Sequence, residues 1–245
     1  MHADQTPFRP GWWSISLRRY RPCDDTYCLF PYDSLPPIDP AGFRGDFRWL
    51  PPLDPALADV GAVDEKRAEI VHHLPALVAE AEARGVTLPA AFLAFMREPS
   101  AHRRVPTCTA CYFDLPAELT PSPFGDEAYL IRFLNDQQWL LLWHLYLKPD
   151  GDHCVVISST AFDEPLDWSA DDEDAGMAGE TAARLGELRA GTWWCAPDFE
   201  VFLYRFWLEN HLWFSLTRGR TLTEDEDAYL RHYREWSSRQ DQRPA

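Results

Sequence analysis

The stretch from residue 127 to residue 159 constrains the fold more than any other part of the sequence. Residues 127–135 (EAYLIRFLN) alternate two sets of side chains, and residues 138–147 (QWLLLWHLYL) are apolar on both faces. The first pattern predicts a strand, and the second predicts a central strand that is covered on both sides. Asp150-Gly151 then gives a strong hairpin signal before residues 153–159 (HCVVISS). We therefore predict an antiparallel meander and an α+β fold, in which helices flank a central antiparallel sheet.

Helical patterns lie on both sides of this meander. A first helix is predicted from Asp64, with Pro75 either kinking it or starting a second one, and a short helix is predicted over 88–97. A helix with Asp198 near its start is predicted over 197–214, and an amphipathic helix with Thr223 as its cap over 223–236. The apolar face of the first helix is predicted to hold Ile70, Val71, Leu74, Leu77, Val78 and Ala81.

The first part of the chain combines many prolines with many aromatic residues. A flexible linker lacks such aromatics. We therefore predict that residues 1–60 form an arm that packs on the main domain, with one short strand near 12–20 (WWSISLRRY). Residues 61–245 are predicted to form the main domain, which includes an acidic loop at 163–191 and a C-terminal helix.

The chain is strongly acidic. Its 39 Asp and Glu against 23 Lys and Arg give a net charge of −16. Such a charge repels nucleic acid and anionic membrane, and it favours a basic protein partner or simple solubility. We predict that the densest acidic stretch binds a basic partner, with Trp168 as its aromatic anchor; the alternative is a solvated face. The predicted partner-binding residues are Asp163, Glu164, Asp167, Trp168, Asp171, Asp172, Glu173 and Asp174.

The predicted location is the cytoplasm. The first residues show no basic segment followed by an apolar run, so no secretory signal is expected. No apolar run approaches the roughly 20 residues that span a bilayer. All six cysteines, at positions 23, 28, 108, 111, 154 and 195, are then expected to be reduced.

Catalytic and metal-binding motifs are weak or absent. The sequence has no phosphate-binding loop and no nucleophile elbow, and we predict no cofactor. Cys108 and Cys111 have the gap of a zinc knuckle, but Cys23 and Cys28 are spaced differently, so we predict core or edge cysteines and no metal. An alternative hypothesis is an enzyme of unknown type, with a pocket at the meander that joins His144, Cys154 and Asp136. His144 lies on an apolar strand, where it needs a hydrogen-bond partner.

The order of these segments resembles the SUKH superfamily over about residues 64–216. The likeness rests on LPAAFLAFM (88–96), on YLIRFLNDQQWLLLWHLYLKPDGDHCVVIS (129–158) and on FEVFLYRFWLENHLWF (199–214). The resemblance implies an α+β fold with a central antiparallel sheet and no shared catalytic residues. It also implies the role of most bacterial members, which are immunity proteins that bind toxins, often nucleases.

The leading hypothesis is thus a non-enzymatic protein-binding module. As an immunity protein it would cover the basic groove of a nuclease toxin with an acidic surface, and charge would steer the encounter. A scaffold or regulatory homo-oligomer that uses the aromatic arm is the remaining alternative.

Overall fold

The computed structural model describes residues 1–52, 54–60, 66–164 and 177–241. These residues build one mixed sheet of eight strands with helices on it, so the α+β class and the central sheet are confirmed. The strands are β1 (Arg9–Ser14), β2 (Cys28–Pro31), β3 (Tyr112–Phe113), β4 (Thr120–Pro121), β5 (Tyr129–Asn135), β6 (Leu142–Leu147), β7 (His153–Ser158) and β8 (Trp193–Ala196). The helices are α1 (Arg67–Ala83), α2 (Ala90–Met96), α3 (Pro99–His102), α4 (Met177–Ala190), α5 (Phe199–Arg218) and α6 (Glu224–Asp241).

The predicted meander forms the middle of the sheet. Its strands β5, β6 and β7 pair antiparallel, with Arg132 opposite His144 and His144 opposite Val156. Gly151 has a φ of 89° in the turn between β6 and β7, which explains the glycine after Asp150. The strand order is β2-β1-β8-β7-β6-β5-β3, and β4 pairs with β5.

The N-terminal segment takes part in the sheet. β1 pairs antiparallel with β2 and parallel with β8, where Arg9 lies opposite Trp193. The sheet is therefore mixed rather than antiparallel throughout. The strand predicted near 12–20 ends at Ser14, and Arg18–Tyr20 form a short 3-10 helix instead.

Both faces of the sheet are covered, as the apolar character of β6 predicted. On one face α5 crosses the sheet, with Phe202 5.4 Å from Phe133 and Phe206 5.6 Å from Trp143 between ring centroids. On the other face a smaller cluster packs around Tyr146, whose ring centroid lies 5.2 Å from that of Phe8. The central strands thus have no side that is left to water.

Capping residues explain where the long helices begin and end. Asp198 accepts a hydrogen bond from the Val201 amide at the start of α5, and Gly219 ends that helix with a φ of 64°. Thr223 caps α6 reciprocally with Glu226. α1 continues through Pro75, and Val71, which was predicted on its apolar face, is 58% exposed.

A buried carboxylate joins the N-terminal segment to α5 and α6. Glu209 is 1% exposed and forms an ion pair with Arg21, with 2.7 Å between Oε2 and Nη2. Its other donors come from both ends of the chain, namely Trp12 Nε1, Ser14 Oγ, Tyr229 OH and Tyr233 OH. Burial would raise the pKa of Glu209, but the Arg21 charge and these hydrogen bonds outweigh it and lower the pKa to about 2. We call this group the Glu209 cluster.

Among the helices of the described ranges, none is long and apolar enough to cross a membrane.

Candidate functional site: an aromatic cleft with an acidic side

A cleft of about 810 Å³ lies between the segment 36–49, helix α5 and the first turns of α6. Its volume falls within the range of natural ligand sites. We call it the aromatic cleft. It is lined by aromatic side chains on one side and by carboxylates on the other.

The aromatic side consists of Phe43, Trp49, Tyr204 and Trp207, all of them half-buried. The ring centroids of Trp49 lie 5.1 Å from Tyr204 and 5.8 Å from Trp207. Phe43 lies 5.2 Å from Tyr204. Since each ring is held by the next, the wall keeps its shape without a ligand.

Glu200 fixes the segment that carries Trp49. Its carboxylate accepts a hydrogen bond from Trp49 Nε1 at 2.9 Å and another from the Gly45 amide at 2.7 Å. Gly45 has a φ of 74°, a conformation that favours glycine. On the other side Arg205 donates to the Pro36 carbonyl and to Tyr229 OH. The loop is thus tied to α5 at two points.

The acidic side is the first turn of α6. Asp225 and Glu226 line the cleft, and acids are favoured there by the helix dipole. The Glu226 carboxylate already has two partners within the protein. Its Oε2 accepts a hydrogen bond from the Thr223 amide, and its Oε1 lies 2.8 Å from His211 Nε2. Asp225 is exposed; burial raises the pKa of Tyr204, and the charge of Asp225 raises it further. Asp225 therefore acts on the aromatic wall and remains available to a ligand.

Electron-rich ring faces beside an exposed carboxylate suit a cation. His232 adds a polar atom at the cleft, since its Nε2 is buried and has no hydrogen-bond partner among the described residues. Asp39 lies at the rim, where it caps a short 3-10 helix through the Ala41 amide. The cleft thus offers carboxylate acceptors and ring faces to a positively charged group.

Most of the acidic stretch that was predicted to bind a partner lies outside the described residues. Asp167, Trp168, Asp171, Asp172, Glu173 and Asp174 belong to that part. Glu164 is exposed. Asp163 is mostly buried, and its carboxylate binds Arg132, with 2.8 Å to Nε and 2.7 Å to Nη2. Burial raises the pKa of Asp163, but Arg132 outweighs it and lowers that pKa, so Asp163 is an internal ion-pair partner.

The residues of the enzyme hypothesis are buried apart from the aromatic cleft. His144 is 1% exposed, Asp136 2% and Cys154 0%. Asp136 accepts from Tyr27 OH at 2.7 Å, and burial raises the pKa of the Cys154 thiol to about 12. Neither the aromatic cleft nor a smaller cleft at the end of the sheet contains any of the three. This arrangement gives the hypothesis no support.

His144 lacks the partner that a buried histidine was expected to find. Neither ring nitrogen forms a hydrogen bond of full geometry with the described residues. Burial lowers the pKa of His144 to about 3, although the nearby Leu142 backbone acts in the opposite direction. Its ring lies 5.1 Å from that of Phe162. The side chain is therefore a neutral core residue.

The cysteines differ from the expectation in one pair. Cys23 and Cys28 form a disulfide across the loop before β2, so the prediction that all six are reduced is wrong for them. Cys108 and Cys111 are free thiols, and burial raises the pKa of each to about 12. In the described part of the chain, no group of three or more His, Cys, Asp or Glu side chains could hold a metal ion.

Comparisons with known proteins give no relative for this chain. No family model, no curated protein and no solved structure matches it. The candidate site therefore rests on its own geometry.

The aromatic cleft was not predicted from the sequence, because its parts lie far apart in the chain. Segment 36–49 belongs to the predicted arm, and Trp207 belongs to the helix predicted over 197–214. The available signal was the sequence TEDED at 223–227, which places several acids in one helical turn. Only the fold shows that this turn faces Trp49 and Trp207 across a cleft.

Proposed function

We propose that the protein is a non-enzymatic binding protein that holds a positively charged segment of another protein in the aromatic cleft. The observation that carries the proposal is one cleft with Trp49, Tyr204 and Trp207 on one side and Asp225 on the other. An arginine or lysine side chain would stack on a ring face and pair with the carboxylate.

The protein's own arginines support this choice of ligand. Arg21 lies 4.3 Å from the ring centroid of Phe30 and 4.7 Å from that of Tyr233 while it pairs with Glu209. Arg132 lies 4.9 Å from the ring centroid of Trp139 and pairs with Asp163. The aromatic cleft offers the same combination of ring and carboxylate to a cation from outside.

The net charge supports a basic partner and a fast encounter. With 39 acidic against 23 basic residues, the surface attracts cationic proteins over distances that salt shortens. The predicted partner-binding residues of 164–174 would add to this attraction toward the same partner. Mutations there should change the association rate more than the lifetime of the complex.

The resemblance to the SUKH superfamily supports a more specific role as an immunity protein. In this role the protein would occlude the basic groove of a toxin, such as a nuclease, in the cytoplasm. The Cys23–Cys28 disulfide is typical of oxidising compartments, so the compartment needs its own test. Thiol-trapping mass spectrometry of the protein from its native host would show whether this pair is oxidised.

The test of the cleft is a binding assay with an acetylated peptide of alternating arginine and glycine. Tryptophan fluorescence is the signal that reports binding. Asp225→Asn and Trp207→Ala should each weaken binding by about tenfold, or 1.4 kcal/mol. Glu224→Gln is the matched control, because Glu224 is exposed, carries the same charge and does not line the cleft. If Glu224→Gln weakens binding as much as Asp225→Asn does, general charge explains the binding and the cleft does not.

A further inference from the structure

A second cleft, of about 400 Å³, lies at the end of the sheet where β7 ends and β8 begins. Its size also falls within the range of ligand sites. We call it the sheet-end cleft. Its walls are the loop 25–27, the end of the β5–β6 turn at Leu140, and residues 157–159.

Two indoles and a set of hydroxyl groups line this cleft. Trp13 and Trp193 are both half-buried and present part of their rings. Thr26, Ser158 and Ser159 contribute hydroxyls. The Ser158 oxygen accepts a hydrogen bond from the Thr160 amide at 3.1 Å, which leaves its own proton free to donate. Asp25 adds an exposed carboxylate as an acceptor.

The glycine at position 11 of β1 leaves room for the Trp193 ring. A Cβ atom at Gly11 would lie 2.7 Å from Cε3 of Trp193 and 2.8 Å from Cδ1 of Leu29. Only glycine lets the indole lie this close to the backbone of β1. The Trp193 indole is therefore held in place beside the cleft by its packing against Gly11.

The two walls are tied to each other. Tyr27 OH donates to Asp136 Oδ1 at 2.7 Å, and Asp136 Oδ2 accepts from the Gln138 amide at 2.8 Å. The Cys23–Cys28 disulfide closes the loop that carries Asp25 and Thr26. Trp139 has a φ of 58° in the facing turn, a conformation that a bulky residue adopts at a cost. A preorganised cleft of this kind loses little entropy when a ligand binds.

The lining distinguishes among classes of ligand. A nucleotide or another anion would meet the Asp25 carboxylate and a net charge of −16. A wholly apolar ligand would leave the hydroxyls and the carboxylate without partners. A hydroxylated ring has a C–H face for an indole and an edge of hydroxyl groups for the serines, Thr26 and Asp25.

We propose that the sheet-end cleft binds a sugar, with its ring face on Trp13 or Trp193 and its hydroxyls on Asp25, Thr26 and Ser159. This site is separate from the aromatic cleft and does not depend on the function proposed for it. The sugar is a ligand here and undergoes no reaction.

The test measures the binding of methyl glycosides of glucose, galactose, mannose and N-acetylglucosamine. Ligand-observed NMR and tryptophan fluorescence detect the binding of each one. At least one should bind with a Kd of about 1 mM or better. Asp25→Asn and Trp13→Ala should weaken that binding by about tenfold. Asp24→Asn, next to it in the same loop and outside the cleft, should leave the binding unchanged.

Two results would overturn the sugar site. One is that no glycoside binds the wild-type protein while indole or cyclohexanol does, which would make the cleft an apolar site. The other is binding that Asp25→Asn and Trp13→Ala leave intact. Asp225→Asn serves as the cross-check, because it should affect the arginine peptide and not the sugar.

Discussion

The Glu209 cluster and the aromatic cleft combine the same chemical groups, but one is closed and the other is open. In the Glu209 cluster, Arg21 from the N-terminal segment lies against Phe30 and Tyr233 and pairs with a carboxylate that is 1% exposed. In the aromatic cleft, Asp225 is exposed beside Tyr204 and Trp207. The chain fills the first group with its own arginine, and the second has room for an arginine from elsewhere. We propose that the first group stabilises the fold and that the second serves recognition.

The largest effect on stability should come from disrupting the Glu209 cluster. Glu209→Gln removes the charge that pairs with Arg21 and leaves a buried guanidinium without its counter-ion. We expect the free energy of unfolding to fall by about 3–5 kcal/mol, the usual cost of removing one partner of a buried pair. Urea denaturation measures it, with Glu224→Gln as a surface control. A loss as small as that of the control would show that the cluster does not hold the N-terminal segment to α5 and α6.

Acid should remove the same contribution gradually. The pKa of Glu209 is about 2 in the fold, below its ordinary value of 4.5, so the unfolded chain takes up the proton first as the pH falls. The contribution is complete above pH 4.5 and is lost as the pH falls toward 2. The stability gap between wild type and Glu209→Gln should therefore shrink over this window by an amount on the order of 3 kcal/mol. A gap that stays constant from pH 5 to pH 2.5 would contradict the lowered pKa.

The disulfide beside the sheet-end cleft should have the next largest effect. Opening it by Cys23→Ser with Cys28→Ser frees a short loop, and we expect the unfolding free energy to fall by about 2 kcal/mol. Adding a reductant to the wild-type protein should have the same effect and should leave the double variant unchanged. If reductant destabilises both proteins equally, the effect does not come from this pair.

His144 should give a smaller effect of the opposite sign. Since both its ring nitrogens lack hydrogen-bond partners among the described residues, His144→Leu should stabilise the fold by about 1 kcal/mol at neutral pH. The pKa of His144 is about 3 in the fold, below its ordinary 6.5, so the unfolded chain binds the proton first and wild-type stability falls as the pH drops below 6.5. Denaturation at pH 7 and pH 5 should show a larger advantage of the variant at pH 5. A variant less stable than wild type at both pH values would indicate that His144 has a partner.

A mutation in the aromatic cleft should cause the smallest change in stability and a clear change in binding. Asp225→Asn should shift the unfolding free energy by no more than about 0.5 kcal/mol, as surface changes usually do. A larger loss of stability would show that Asp225 belongs to the structural network, and it would remove the contrast between the two groups.

The local part of the fold could be predicted from the sequence. Alternation, the Asp150-Gly151 turn and the caps at Asp198 and Thr223 act within a few residues. The structure has the meander and the starts of both helices near these signals, but β6 begins at Leu142 rather than at residue 138. β8 is short and follows a polar stretch, so no periodicity marked it. Its parallel pairing with β1 joins Arg9 to Trp193 and depends on packing that no local pattern records.

The aromatic cleft itself could not be predicted from the sequence. The net charge of −16 favoured a basic partner or simple solubility, and it could not show which acids are free. Asp163 belongs to the predicted surface, yet it is bound to Arg132, and Asp225 carried no prediction, yet it faces Trp207. The difference depends on tertiary contacts between distant residues. A count of charges along the chain cannot show which acids are paired.

The most direct test of the central claim compares two peptides on the wild-type protein. Isothermal titration calorimetry would use an acetylated peptide of alternating arginine and glycine, and the same peptide with citrulline in place of arginine. Citrulline keeps the shape of the side chain and removes its charge. We expect the arginine peptide to bind at one site per chain and the citrulline peptide to bind at least about tenfold more weakly. Equal affinities, or arginine binding that Asp225→Asn and Trp207→Ala do not alter, would contradict it.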